Sequence, residues 1–187
     1  MTRLILIKHA MPLLDETRPP RDWTISPEGR EAAGRLAERL QGFSPNRVVA
    51  SPEPKAADTG AVIAQRLTLP IMIDPGLGEH HREASPFRPQ GQHEQAIERL
   101  FREPDKLIFG TETADQAHDR FAAALSGHLA AQGAGALVVA SHGTVISLWV
   151  SRRLAIDPVP LWRSLTLPCA VVMAQDGRAF EIITADA

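Results

Sequence analysis

Leu4-Ile5-Leu6-Ile7-Lys8-His9-Ala10 and Leu137-Val138-Val139-Ala140-Ser141-His142-Gly143 share one layout: a short apolar run that ends on a polar group and a histidine. Four consecutive apolar residues are too few for a helix face and suit a strand buried on both sides, as in a parallel sheet. Val48 to Ala50, running into Ser51-Pro52-Glu53-Pro54-Lys55, follows the same plan. Ile71 to Ile73 and Ala170 to Met173 read as further buried strands. Arg178 to Thr184 reads as a last strand, entered through a hairpin turn at Asp176-Gly177.

Helical patterns lie between these runs. Ser26-Pro27 supplies a cap and a proline for the first turn, Leu36 and Leu40 follow at helical spacing, and Gly42 is the expected stop. A second helix is expected from about Pro54 to Arg66. A third opens with Thr113 and Gln116 in capping-box spacing and ends near Gly133. A fourth begins just after His142, with Val145, Leu148 and Trp149 on one face. Strand and helix alternating in this way predict an α/β fold, helices on both faces of a mostly parallel sheet. The stretch His80 to Gly110 breaks the rhythm. Its prolines, glycines, histidines and arginines, with one short helix near Glu94 to Arg102, predict an excursion over the sheet edge that acts as a substrate-selecting cap. The whole chain, 1–187, reads as one domain carrying that small cap at about 80–110.

With 187 residues, 44% hydrophobic and 22% charged, the chain can bury a substantial core. A net charge of −2 gives no basic field for nucleic acid or an anionic membrane, so an anionic substrate must be held by local positive groups. The run Leu4 to Ile7 is too short for a signal-peptide core or a membrane span. The single cysteine, Cys169, permits no internal disulfide and suits a reducing compartment. A cytoplasmic location is expected. Oligomeric state has no signature in the sequence.

Ligands of open parallel sheets bind beyond the carboxyl ends of the strands. Connectivity alone therefore aims Lys8, His9, Lys55 and His142 at one rim. The helix starts near Lys55 and Gly143 bring N–H groups and a dipole that favour an anion. Together they form a candidate phosphate pocket.

On these residues the chain resembles the histidine phosphatase, or phosphoglycerate mutase-like, superfamily. Ile7-Lys8-His9-Ala10 is similar to its Arg-His-Gly signature, and Ser51-Pro52-Glu53-Pro54-Lys55-Ala56-Ala57-Asp58-Thr59 to its Ser-Pro-x-x-Arg-Ala-x-x-Thr motif. Leu77-Gly78-Glu79 resembles the segment carrying the family's acidic residue. Gly110-Thr111-Glu112-Thr113 resembles its Gly-Glu-Ser helix start, and Val138 to Gly143 its second-histidine strand. The matches follow the family's order over nearly the whole chain. The resemblance implies a three-layer α/β/α sandwich and a metal-independent, acid phosphatase-type phosphomonoesterase. His9 would be the nucleophile that carries the phosphoryl group, with its tautomer fixed by a backbone carbonyl. Lys8, Lys55, His142 and Gly143 would hold the phosphoryl oxygens, and Glu79 would be the general acid and then the base for water. His80 and Arg82 are candidates for substrate contact, Arg82 together with Arg88 for a second anionic group. No cofactor and no metal are implied. The substrate would be a small phosphorylated metabolite or a phosphoprotein. A non-catalytic phosphate- or phosphopeptide-binding member of the fold and a mutase-type phosphotransferase are the alternatives; about thirty residues between Glu79 and Glu112 make a small cap and favour hydrolysis.

Three positions depart from the pattern: Lys8 and Lys55 stand where the family has arginine, and Ala10 where it has glycine. Lysine keeps the charge and loses the planar fork that grips two oxygens, so a looser site with stronger pH dependence is expected. Glu79, His80, His81 and His93 match no helical zinc spacing, and neighbouring histidines point apart. Glu112 and Thr113 read as helix caps. Trp23, Trp149 and Trp162 read as packing residues.

Overall fold

The computed structural model describes residues 3–82, 89–174 and 176–186. Its strands are β1 (Arg3–Lys8), β2 (Pro45–Ala50), β3 (Ile71–Ile73), β4 (Ala136–Ser141), β5 (Cys169–Met173) and β6 (Phe180–Thr184). They form one sheet in the order β3-β2-β4-β1-β5-β6. β3, β2, β4 and β1 run parallel, while β5 and β6 continue the sheet antiparallel. The helices are α1 (Pro27–Leu40), α2 (Pro54–Leu67), α3 (Gln90–Arg102), α4 (Ala114–Ala130), α5 (Gly143–Leu154) and α6 (Pro158–Ser164).

Side chains alternate across a strand, and here the alternation divides the core in two. Leu4, Leu6, Val49, Leu137, Val139 and Val171 face α4, α5 and α6, in one cluster with Phe121, Leu125, Val145 and Leu161. Ile5, Ile7, Val48, Ala50, Val138 and Ala170 face α1 and α2, in a second cluster with Leu36, Leu40 and Ile63. The predicted three-layer α/β/α sandwich is what forms, because four strands buried on both faces need helices on both sides.

Four differences from the sequence reading have physical causes. β3 is an edge strand, and Ile71, Met72 and Ile73 are 39%, 54% and 51% exposed, so an apolar triplet here does not mean burial. Gly42 does not stop α1; a 3-10 turn over Gln41–Phe43 follows, and Ser44 takes the left-handed conformation at φ 51°. α3 begins at Gln90, one turn ahead of Glu94. α6 was not foreseen, because Pro158 and Pro160 look like breakers; both lie in its first turn, where no N–H is required, and Asp157 Oδ1 accepts from Val159 N–H at 2.9 Å. The expected capping box on α4 is present, with Thr113 and Gln116 bonded reciprocally. The hairpin at Asp176-Gly177 also forms, with Gly177 at φ 67°.

α2 lies close on the sheet because Gly60 has no side chain: a Cβ there would sit 3.0 Å from Ala50 Cβ and 3.2 Å from Ala140 Cβ. Gly60→Val should therefore lower unfolding free energy by about 1–3 kcal/mol in urea melts. Gly34→Ala, where a Cβ meets nothing within 4 Å, should be neutral or stabilising by up to about 1 kcal/mol.

Candidate active site

Parallel register brings the strand ends to one level. His9 N–H donates to Ser141 O at 3.0 Å and Ser51 N–H to Ala140 O at 2.9 Å, so the residues that leave β1, β2 and β4 emerge side by side. They open into a cavity of about 950 Å³ lined by Lys8, His9, Glu53, Lys55, Glu79 and Thr144, among others.

His9 Nδ1 lies 2.9 Å from Ala10 O. A carbonyl can only accept, so Nδ1 carries the proton and Nε2 keeps its lone pair. Ala10 is held in turn, its N–H donating to Thr59 Oγ1 at 2.9 Å and that hydroxyl donating to Lys55 O at 2.6 Å. Burial, then the nearby His142 and Lys55, hold the His9 pKa well below its ordinary value of 6.5. The ring is neutral at physiological pH. His142 stands edge-on to it, with ring centroids 5.4 Å apart.

His142 is fully buried, and burial lowers its pKa to about 4 against the opposing pull of Glu53. Ser51 Oγ accepts from Glu53 N–H at 3.2 Å and lies 2.8 Å from His142 Nε2. The hydroxyl donates to Nε2 in the tautomer that carries its proton on Nδ1. That Nδ1 has no partner among the described residues.

Both lysines are engaged with the protein. Lys55 Nζ donates to Glu53 Oε2 at 2.7 Å and to Pro20 O at 2.8 Å. Lys8 Nζ donates to Leu165 O at 2.6 Å, its stem lies along Gly143, and burial lowers its pKa. Glu53, which the sequence reading passed over, is the hub of the cluster: its Oε1 also accepts from Glu79 N–H at 2.8 Å and lies 3.5 Å from His142 Nε2. The signal available for it was its place inside a motif between two proline turns.

Glu79 Oε1 accepts from His80 N–H at 2.9 Å, and its Oε2 from Thr144 N–H at 3.3 Å. The carboxylate thus takes up part of the α5 N-terminus that the sequence reading left to phosphate. Arg82 Nη2 lies 3.4 Å from Glu79 Oε2. Burial pushes the Glu79 carboxyl up, but Arg82, His142 and the two amides outweigh it and hold the pKa well below the usual carboxylate range.

His80 lines the cavity wall. It is buried against Phe109, with Nε2 2.7 Å from Glu112 O. Glu112 does not cap α4. Its carboxylate accepts from Arg120 at 2.6 Å and from His81 N–H at 3.0 Å, while Arg120 also donates to the carbonyls of Gly76, Gly78 and Glu79. This network fixes the loop that carries Glu79. Gly110, at φ 76°, is required where the loop returns, since a Cβ would fall 2.0 Å from His81 O. Trp23 and Trp162, read as packing residues, stand in the cavity wall. Arg88 lies outside the described residues. No helix among the described residues is long and apolar enough to cross a membrane.

A family model described as the histidine phosphatase superfamily (branch 1) matches residues 4–183. No curated protein matches the sequence. Among solved structures, a phosphoserine phosphatase from Entamoeba histolytica, in complex with 3-phosphoglyceric acid, superposes with a TM-score of 0.76 at 18% identity over 98% of this chain and 96% of its own. A mycobacterial glucosyl-3-phosphoglycerate phosphatase gives 0.74 at 19% identity over 98% of both chains. A mycobacterial hydrolase gives 0.74 at 18% identity over 100% and 99%. At these identities the likeness is one of fold.

His9, His80 and His142 are all held below the ordinary histidine value of 6.5, first by burial. The unfolded chain therefore binds more protons than the folded one between about pH 6.5 and 4, and stability must fall as pH falls through that window. Urea unfolding between pH 7 and 5 should show a loss of up to about 1.4 kcal/mol per pH unit for each such histidine. A flat profile would contradict the burial of these rings.

Proposed function

The chain belongs to the histidine phosphatase superfamily, and on that footing we propose that it is a phosphatase that hydrolyses phosphate monoesters through a phosphohistidine on His9. The observation that carries this reading is the state of His9: neutral, with Nδ1 bonded to a carbonyl and Nε2 left with a lone pair, in a cavity that also holds Lys8, Lys55 and Glu79.

In the first step Nε2 attacks phosphorus and the bond from phosphorus to the ester oxygen breaks. Negative charge spread over the equatorial oxygens is met by Lys8, Lys55 and His142, with the amide of Gly143 close by. The leaving oxygen takes a proton from Glu79. In the second step water attacks the phosphohistidine, Glu79 takes the proton, and inorganic phosphate leaves a neutral His9 behind. In the surroundings that the protein itself supplies, Glu79 is a carboxylate, the state the second step requires. For the first step it must gain a proton, and an anionic phosphoryl group favours this by offsetting the cationic field of Arg82.

The substrate class proposed is a small phosphorylated metabolite. Two of the solved structures of this fold are named for such compounds, phosphoserine and glucosyl-3-phosphoglycerate, and the His80 to Gly110 segment is the proposed selecting cap. A buried free thiol at Cys169 suits the reducing cytoplasm, the proposed location.

His9→Ala should lower turnover of p-nitrophenyl phosphate at least about a thousandfold, and acid-labile phosphate should be trapped on the wild-type protein but not on the variant. Phosphate binding without turnover by the wild type would favour the non-catalytic reading. Glu79→Gln should cost about 10²–10⁴-fold on an alkyl phosphate, and much less in the first step on p-nitrophenyl phosphate, whose leaving group needs no proton.

A further inference from the structure

Phosphoryl transfer is favoured by donors that reach two oxygens at once, and an ammonium is a single compact charge. Here the positions where the family has arginine hold Lys8 and Lys55, and their ammonium groups already bond Leu165 O, Pro20 O and Glu53 Oε2. A planar fork must come from elsewhere if the site has one.

Three described arginines line the cavity: Arg21, Arg82 and Arg163. Arg21 lies 3.6 Å from Asp22, and Arg163 pairs with Glu98, both toward the rim. Arg82 alone of the three reaches the start of α5, where Nη2 donates to Thr144 Oγ1 at 2.9 Å, two residues beyond His142. Its other contacts are long: 3.4 Å from Nη2 to Glu79 Oε2 and 3.5 Å from Nη1 to His93 Nε2. Its Nε is buried without a partner, and its guanidinium lies over the Phe109 ring, 5.6 Å from the centroid. A guanidinium has five N–H donors, and this one has made a single good hydrogen bond. Arg120 nearby is the contrast, with its donors committed to three carbonyls and a carboxylate.

We propose that Arg82 is the guanidinium clamp of the transferring phosphoryl group, supplied by the loop after Glu79 in place of the forks that Lys8 and Lys55 cannot make. This rests on the phosphatase reading and assigns Arg82 to the reacting phosphoryl group, not to a second anionic group of the substrate. The Thr144 hydroxyl and the Phe109 ring hold the guanidinium in plane, and the long contact to Glu79 is the one exchanged for phosphoryl oxygens. That exchange also frees the Glu79 carboxylate from a cation at the moment it must take a proton for the leaving group.

The test uses inorganic phosphate as the titrant in calorimetry, alongside turnover of p-nitrophenyl phosphate, on the full chain. Arg82→Gln should weaken phosphate binding at least about tenfold and lower kcat about 10²–10³-fold, with melting temperature within a few degrees of wild type. Arg82→Lys should recover only part of either loss, since it restores charge without the fork. A residue that only positions Glu79 would have no further effect once that carboxylate is gone. In a Glu79→Gln background the clamp predicts that Arg82→Gln still weakens phosphate binding. Unchanged phosphate affinity in Arg82→Gln, or no added loss in the Glu79→Gln background, overturns the clamp. Phosphate binding that depends on Arg82 in a protein showing no turnover keeps the clamp and overturns the hydrolytic reading. A wild type that binds no phosphate overturns both.

Discussion

The Glu53 carboxylate joins what the chain keeps far apart. One oxygen bonds Lys55 from α2, the other takes the Glu79 amide from the loop after β3 and lies beside His142 at the end of β4. It is poorly exposed, and burial alone would push its pKa up, but His142 and Lys55 prevail and hold it down. A buried anion is tolerated only when its lone pairs are taken up, so the carboxylate fixes the relative positions of its partners. His9, the proposed nucleophile, is fixed independently, through Ala10 and Thr59.

Charge in this site is spent locally, which is why a chain with a net charge of −2 can be read as a binder of anions. Lys8, Lys55 and Arg82 each face a carbonyl or carboxylate, and Glu53 and Glu79 each face cations and amides. Histidines that would add charge are kept neutral by burial. A phosphoryl group entering such a cluster competes for donors already in use, so affinity depends on which contacts are weak enough to exchange. Lys8 and Lys55 have short bonds; Arg82, apart from its bond to Thr144, has long ones. With lysines at positions 8 and 55 the rim keeps its positive charge, and in the proposed reading it is Arg82 whose contacts are exchanged.

The antiparallel pair β5 and β6 plays a quieter part. It covers the free side of β1, so that the strand that ends on Lys8 and leads into His9 is central, paired with β4 on one side and β5 on the other. Cys169 at the start of β5 lies close enough to Lys8 to influence it, and burial raises the thiol to about 11, leaving it unionised.

Short apolar runs ending on Lys8-His9 and Ser141-His142, and the cap at Ser26-Pro27, were legible in the sequence because they are local: two-residue alternation and caps act within a few residues. The order of motifs made the family legible for the same reason. Where burial was inferred from composition alone, the sequence reading failed, as at β3, since a three-residue apolar run is the same in the middle of a sheet as at its edge. Tertiary structure alone decided the partners of each charge. That Glu53 would take the Glu79 amide 26 positions away, that Arg120 would reach the Gly76 carbonyl 44 positions away, and that Arg82 would reach Thr144 62 positions away, depends on contacts that no local spacing encodes.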